Sequence, residues 1–232
     1  MTARTINRYA KPPIFLALLA PTLWLAWQWA MLLDGQAHAL GFNPTEYTNR
    51  YTGDWALRLI IAGLALTPLA SLLGKPWPIQ FRRMVGLFAF FYACLHMASY
   101  VGLDQLFAWG AIWQDIVKRT FITVGMVAFI GLIPLALTST NTMVKRLGAK
   151  RWKLLHKLVY GAAVLGAVHY IMMAKGNQLE PLVYAGILAV LLGYRVVDRI
   201  RCRLRGKART AAARTRDFDS CACDDYQQAV TY

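Results

Sequence analysis

The sequence predicts an all-α integral membrane protein built as a bundle of six transmembrane helices, and three observations predict it. Of 232 residues, 57% are hydrophobic and only 16% are charged, too apolar a balance for a soluble domain of this size. Six stretches of about 17 to 21 residues are each long enough to cross a bilayer core as a helix. The basic residues between these stretches alternate, crowding on one side of the membrane and thinning on the other.

The first stretch, Ile14–Leu33, follows Arg4, Arg8 and Lys11. Its length argues against a cleaved signal peptide, although Ala37-His38-Ala39 after it resembles a cleavage site. The second, Trp55–Leu73, carries Arg58 at its start and Pro68 near its end. Lys75, Arg82 and Arg83 precede the third, Met84–Leu103, and Lys118 and Arg119 precede the fourth, Phe121–Ser139, which holds Pro134. Lys145, Arg146, Lys150, Arg151 and Lys153 lead into the fifth, Leu154–Ala174. The sixth is Pro181–Val197. Lys157 and Arg195 fall inside the last two near one end, where long side chains snorkel to the interface. The chain therefore divides into an N-terminus over 1–13, a six-helix domain over 14–198, and a basic, disordered tail over 199–232.

One side of this arrangement holds 21 of the 26 Lys and Arg residues, which by the positive-inside rule makes both termini cytoplasmic. The net charge of +15 thus reflects topology and contact with lipid headgroups, not nucleic acid. No glycine-rich nucleotide fingerprint follows a strand, so electrons or substrate must come from a source other than a nicotinamide bound in the usual way. Cys221-Ala222-Cys223 lacks the spacing of a zinc or redox motif, and no function is attached to it.

Three of the four histidines lie inside apolar stretches: His96 in the third, His156 and His169 in the fifth. An imidazole in hydrocarbon is costly unless occupied, which makes each a candidate ligand. At about 1.5 Å per residue, His96 lies roughly 18 Å from the cytoplasmic start of its helix, and His169 reaches nearly the same depth. The two are expected to face one another between helices three and five and clamp one haem iron, for which neutral imidazole is a standard axial ligand. His156 lies near the inner face, the candidate ligand of a second haem. Where two-haem cytochromes of this type carry another histidine before His96, this chain has Arg82 and Arg83. Those two with Arg151 and Lys153 form a basic inner group suited to an FMN phosphate, a quinone headgroup or haem propionates. Arg58, on the outer side, is placed to pair with a propionate of the outer haem.

Several pieces in order carry a resemblance: Thr52-Gly53-Asp54-Trp55-Ala56-Leu57-Arg58, Thr67-Pro68-Leu69, and Arg82-Arg83-Met84-Val85-Gly86-Leu87 leading to His96. They continue through Lys118-Arg119, Ile122-Thr123-Val124-Gly125, Pro134-Leu135-Ala136-Leu137-Thr138-Ser139, and Arg151-Trp152 by way of Leu155-His156-Lys157-Leu158-Val159-Tyr160 to His169. Together they resemble the MsrQ (YedZ) family, haem-binding membrane subunits of a periplasmic methionine-sulfoxide reductase system within the ferric-reductase-like transmembrane group. The resemblance implies a bacterial inner-membrane location, haem b held by His96, His156 and His169, and FMN. It also implies electrons drawn from the quinone pool and passed to a separate periplasmic molybdenum-containing catalytic subunit, this chain being a non-catalytic electron carrier. Two rival readings remain: a stand-alone transmembrane cytochrome b reducing ferric iron or oxygen with a cytosolic flavin reductase, and a histidine-containing metal carrier or assembly factor.

Overall fold

A computed structural model of the protein describes residues 3–174 and 178–213, with side chains over 9–174 and 178–204. Among the described residues there is no strand, and six helical segments are long and apolar enough to cross a membrane. The chain is a multi-pass membrane protein.

Helix α1 (Ala3–Leu33) begins well before the first apolar stretch. Helix α2 (Pro44–Leu73) likewise starts eleven residues ahead of its predicted start at Trp55. The cause is local: Asn43 caps it by accepting from the Glu46 N–H, and Pro44 occupies the first turn, where its missing N–H costs nothing. Gly74, at φ 62°, ends it in the left-handed cap that glycine adopts without strain. Arg58 therefore stands in the body of α2, not at its start.

A 3₁₀ turn (Trp77–Phe81) leads into α3 (Arg82–Ser99), which closes in a π turn (Tyr100–Asp104). The short helix α4 (Trp109–Lys118) was not foreseen, because a ten-residue helix spans only about 15 Å and leaves no transmembrane signature. Helix α5 (Thr120–Leu137) crosses back, and two short helices, α6 (Asn141–Leu147) and α7 (Ala149–Leu155), follow. The predicted fifth helix is interrupted: α7 ends at His156, and α8 (Leu158–Met173) starts after Lys157. Helix α9 (Glu180–Ala213) runs past the predicted end at Val197, so the first part of the expected tail is helical. Cys221 and Cys223 lie outside the described residues.

Helix α3 packs chiefly on α2, and α8 on α5. Tyr92 of α3 is wholly buried; it stacks on Trp55 of α2 and donates its hydroxyl to the Leu18 carbonyl of α1. Ala162, Ala163 and Ala167 of α8 are buried, and a Cβ at Gly166 would already touch Leu57. Small side chains let backbones approach where no hydrophobic effect drives helices together. Large apolar side chains such as Leu23, Val127, Ile130 and Leu182 are exposed on the outside, as a lipid-facing surface requires.

Arg195 corrects an expectation. It does not snorkel to the interface but turns inward, donating from Nη2 to the Leu64 carbonyl of α2 and from Nη1 to the Tyr160 hydroxyl of α8, each at 2.7 Å. The reason is Pro68, which has no N–H for the carbonyl four residues before it. Arg195 supplies the missing donor and ties α9 to α2 and α8.

Candidate functional site

His96 stands late in α3, and its Nδ1 lies 2.9 Å from the backbone oxygen of Asn49 on α2. His169 stands late in α8, with Nδ1 2.7 Å from the backbone oxygen of Phe121 on α5. A carbonyl only accepts, so in each ring Nδ1 carries the proton and donates, leaving Nε2 with its lone pair. A metal-binding histidine has its free nitrogen set in this way by a second hydrogen bond.

Both contacts use the same local device. One helical turn after each acceptor carbonyl comes a glycine: Gly53 after Asn49, Gly125 after Phe121. A Cβ at Gly53 would lie 3.1 Å from the His96 ring, and one at Gly125 only 2.8 Å from Nδ1 of His169. The missing side chain lets each imidazole lie on the neighbouring helix backbone and reach its carbonyl. Sequence reasoning missed both glycines as site residues. A signal was present, since the separations from glycine to histidine, 43 and 44 residues, nearly repeat.

The two rings come together inside the bundle with centroids 6.1 Å apart and planes at 73°. Two imidazoles on opposite sides of one metal, each at about 2 Å, hold their centres roughly 6 Å apart. Among the described residues no three His, Cys, Asp or Glu side chains gather as a bare ion would require. Two imidazoles at this separation, each with a free Nε2, suit a metal whose remaining positions a macrocycle fills, so the residues present fit a haem.

The other predicted residues fall elsewhere. Arg58 directs Nε to the Tyr184 hydroxyl at 2.7 Å and lies over the rings of Trp55 and Tyr184, joining α2 to α9. His156, at the end of α7, stacks on Trp152 with centroids 3.9 Å apart. Its Nε2 lies 3.3 Å from Thr138 Oγ1. That hydroxyl already donates to the Pro134 carbonyl, so Nε2 of His156 is the donor there and Nδ1 holds the free lone pair. Arg83 donates to Asn141 at 2.6 Å, and Arg82 lies beside Tyr160. Both guanidiniums act electrostatically on His156, whereas Arg151 and Lys153 are exposed. Of the four basic inner residues the structure thus half-buries only Arg82; Arg83, Arg151 and Lys153 are exposed, with Arg82 and Arg83 the two whose charge acts on His156.

Comparison with known proteins gives a consistent result. The family model described as "Ferric reductase like transmembrane component" matches residues 52–167. The chain is 54% identical over 202 residues to the protein-methionine-sulfoxide reductase heme-binding subunit MsrQ of Rhodospirillum rubrum, covering 87% of this chain and 94% of that protein. It is 46% identical to the MsrQ of Caulobacter vibrioides, covering 79% and 84% respectively. For the MsrQ of Herminiimonas arsenicoxydans the identity is 49%, covering 80% and 84%.

Proposed function

We propose an electron-transfer role on one premise: the chain belongs to the MsrQ family of haem-binding membrane subunits, within the ferric-reductase-like transmembrane group. In this reading it takes electrons from the quinone pool and delivers them, through haem b and with FMN as a further carrier, to a periplasmic molybdenum-containing methionine-sulfoxide reductase subunit. Reduction of methionine sulfoxide happens on that partner, and repair of oxidised periplasmic proteins is the outcome. The chain lies in the inner membrane with both termini cytoplasmic, as its one-sided basic charge supports.

The observation that carries the reading is the His96–His169 pair, 6.1 Å apart and each fixed through Nδ1 by a backbone carbonyl. Haem iron held there supplies one-electron chemistry; the protein's own work is to bind it, orient it and set its surroundings. His96 and His169 provide the two neutral ligand nitrogens. The Asn49 and Phe121 carbonyls fix the tautomers and make the imidazoles better donors to a metal. Leu57, Leu59, Ile60 and Ala163 are buried in the same bundle and keep water from its interior. His156 is assigned to an inner redox site through its free Nδ1, with Arg82 and Arg83 as the basic groups nearest to it.

A reduced-minus-oxidised spectrum of the purified protein, with haem and flavin quantified per polypeptide, tests this. Loss of the haem absorbance in both His96→Ala and His169→Ala is expected; full retention in both would remove the assignment. A colourless wild-type preparation made with ample haem would favour the metal-carrier reading. Activity without any periplasmic partner would favour the stand-alone reductase.

A further inference from the structure

The two imidazoles are held alike, but their acceptor carbonyls do not carry the same number of donors. In an α-helix each carbonyl takes the N–H four residues on, so the Asn49 oxygen serves Gly53 and the Phe121 oxygen serves Gly125. Each also accepts Nδ1–H of its histidine, at 2.9 Å from His96 and 2.7 Å from His169. Two donors fill the two lone pairs of a carbonyl oxygen. Asn49 has a third. The hydroxyl of Thr52 lies 3.0 Å from the same oxygen and donates at 2.8 Å to the Thr48 carbonyl as well.

Thr52 is wholly buried, and both of its acceptors belong to its own helix. It stands immediately before Gly53; immediately before Gly125 stands Val124. Helices α2 and α5 thus present the same carbonyl and glycine with one difference, a hydroxyl at position 52 and a methyl group at position 124. Threonines inside helices often donate to a carbonyl three or four residues back with no further consequence. Here the shared carbonyl also fixes the tautomer of a metal-binding imidazole.

We propose that Thr52 is a positioning residue for His96: by sharing the Asn49 carbonyl it makes His96 the weaker, and His169 the stronger, electron donor of the pair. An oxygen divided among three donors accepts less strongly from each. An imidazole whose N–H is strongly accepted gains electron density at its other nitrogen and becomes a better metal ligand. The ring positions agree, since a Cβ at Gly125 would lie 2.8 Å from His169, against 3.1 Å between Gly53 and His96. The inference rests on the haem reading given above. A weaker ligand favours the reduced, less charged iron, so the Thr52 hydroxyl raises the reduction potential of haem bound there.

The test uses the full chain, purified in detergent with its haem. Potentiometric titration reads the haem component that His96→Ala removes, and electron paramagnetic resonance reads the ligand field of its ferric form. Thr52→Val exchanges the hydroxyl for a methyl group beside a cavity lined by Leu25, Ala26 and Leu95. It orphans no acceptor, because the Thr48 and Asn49 carbonyls keep their helical N–H partners. The potential should fall and the ferric signal should shift, with haem content unchanged. Thr52→Ser keeps the hydroxyl and should match the wild type in both. Val124→Thr brings a hydroxyl to the Phe121 carbonyl and should raise the potential. A merely structural role would alter thermal stability or haem content and leave the potential in place. Thr52→Val with its haem at the wild-type potential overturns the proposal, as does an equal shift in Thr52→Ser. Should Thr52→Val lose its haem, Val124→Thr decides: an upward shift sustains the proposal, and an unchanged or lower potential overturns it. A wild-type protein that binds no haem removes the electron-transfer reading and this inference together, whereas haem-loaded variants at unchanged potential remove this inference alone.

Discussion

A methyl group at position 125 would sit 2.8 Å from the ring nitrogen of His169, and one at position 53 would sit 3.1 Å from His96. The first distance is impossible without displacement; the second asks the ring to give by a few tenths of an ångström. Gly125→Ala should therefore push His169 off the Phe121 carbonyl and cost about 1–3 kcal/mol of overpacking, whereas Gly53→Ala costs less. Haem per polypeptide measures it: Gly125→Ala should retain less than Gly53→Ala, and equal, full retention would mean that the carbonyl contact does not orient His169. At this scale the histidines were legible and their supports were not. An imidazole in an apolar run announces itself, but its partner here is a backbone oxygen on another helix, and backbone oxygens carry no residue-specific mark.

Hydropathy located each of the six helices long and apolar enough to cross a membrane among the described residues, yet misjudged where helices begin and end, because it registers the lipid-facing length and not the hydrogen-bonded one. Asn43 and Pro44 extend α2 through polar residues, and α4 hides from a transmembrane search by being short. The inward turn of Arg195 was equally hidden, since its acceptor is a carbonyl released by Pro68 on α2, adjacent in space but 131 residues earlier in the chain. This link predicts a pattern. Arg195→Met should destabilise the protein by about 1–3 kcal/mol, the cost of leaving a buried acceptor unpaired. Pro68→Ala in the same background restores an N–H to Leu64 and should recover much of that loss. Thermal unfolding in detergent of the two single variants and the double variant measures the coupling, and strict additivity would sink the explanation.

For the whole molecule, the basic excess at one end supports the proposed orientation, which an insertion experiment reads directly. Alkaline phosphatase, active only outside the cytoplasm, should be active when inserted in the loop near Phe42 and inactive when inserted near Gly148. The reverse pattern would invert the assigned direction of electron flow. The bundle also explains how two distant segments form one site. Helices α3 and α8 are far apart in the chain, but each is backed by its own partner, α2 and α5, through a glycine and a carbonyl one turn apart.

By itself the sequence determined that the chain crosses a membrane six times, with its charge on one side and two histidines at one depth. These properties follow from length, hydropathy and rise per residue, which are additive along the chain. Only the tertiary structure decided which atoms hold those histidines, that His156 stands at a break between helices, and that Arg195 faces inward. The histidine pair and Arg195 depend on backbone carbonyls of other helices, and His156 meets the Thr138 hydroxyl just past α5; contacts of that kind exist only once the helices have packed.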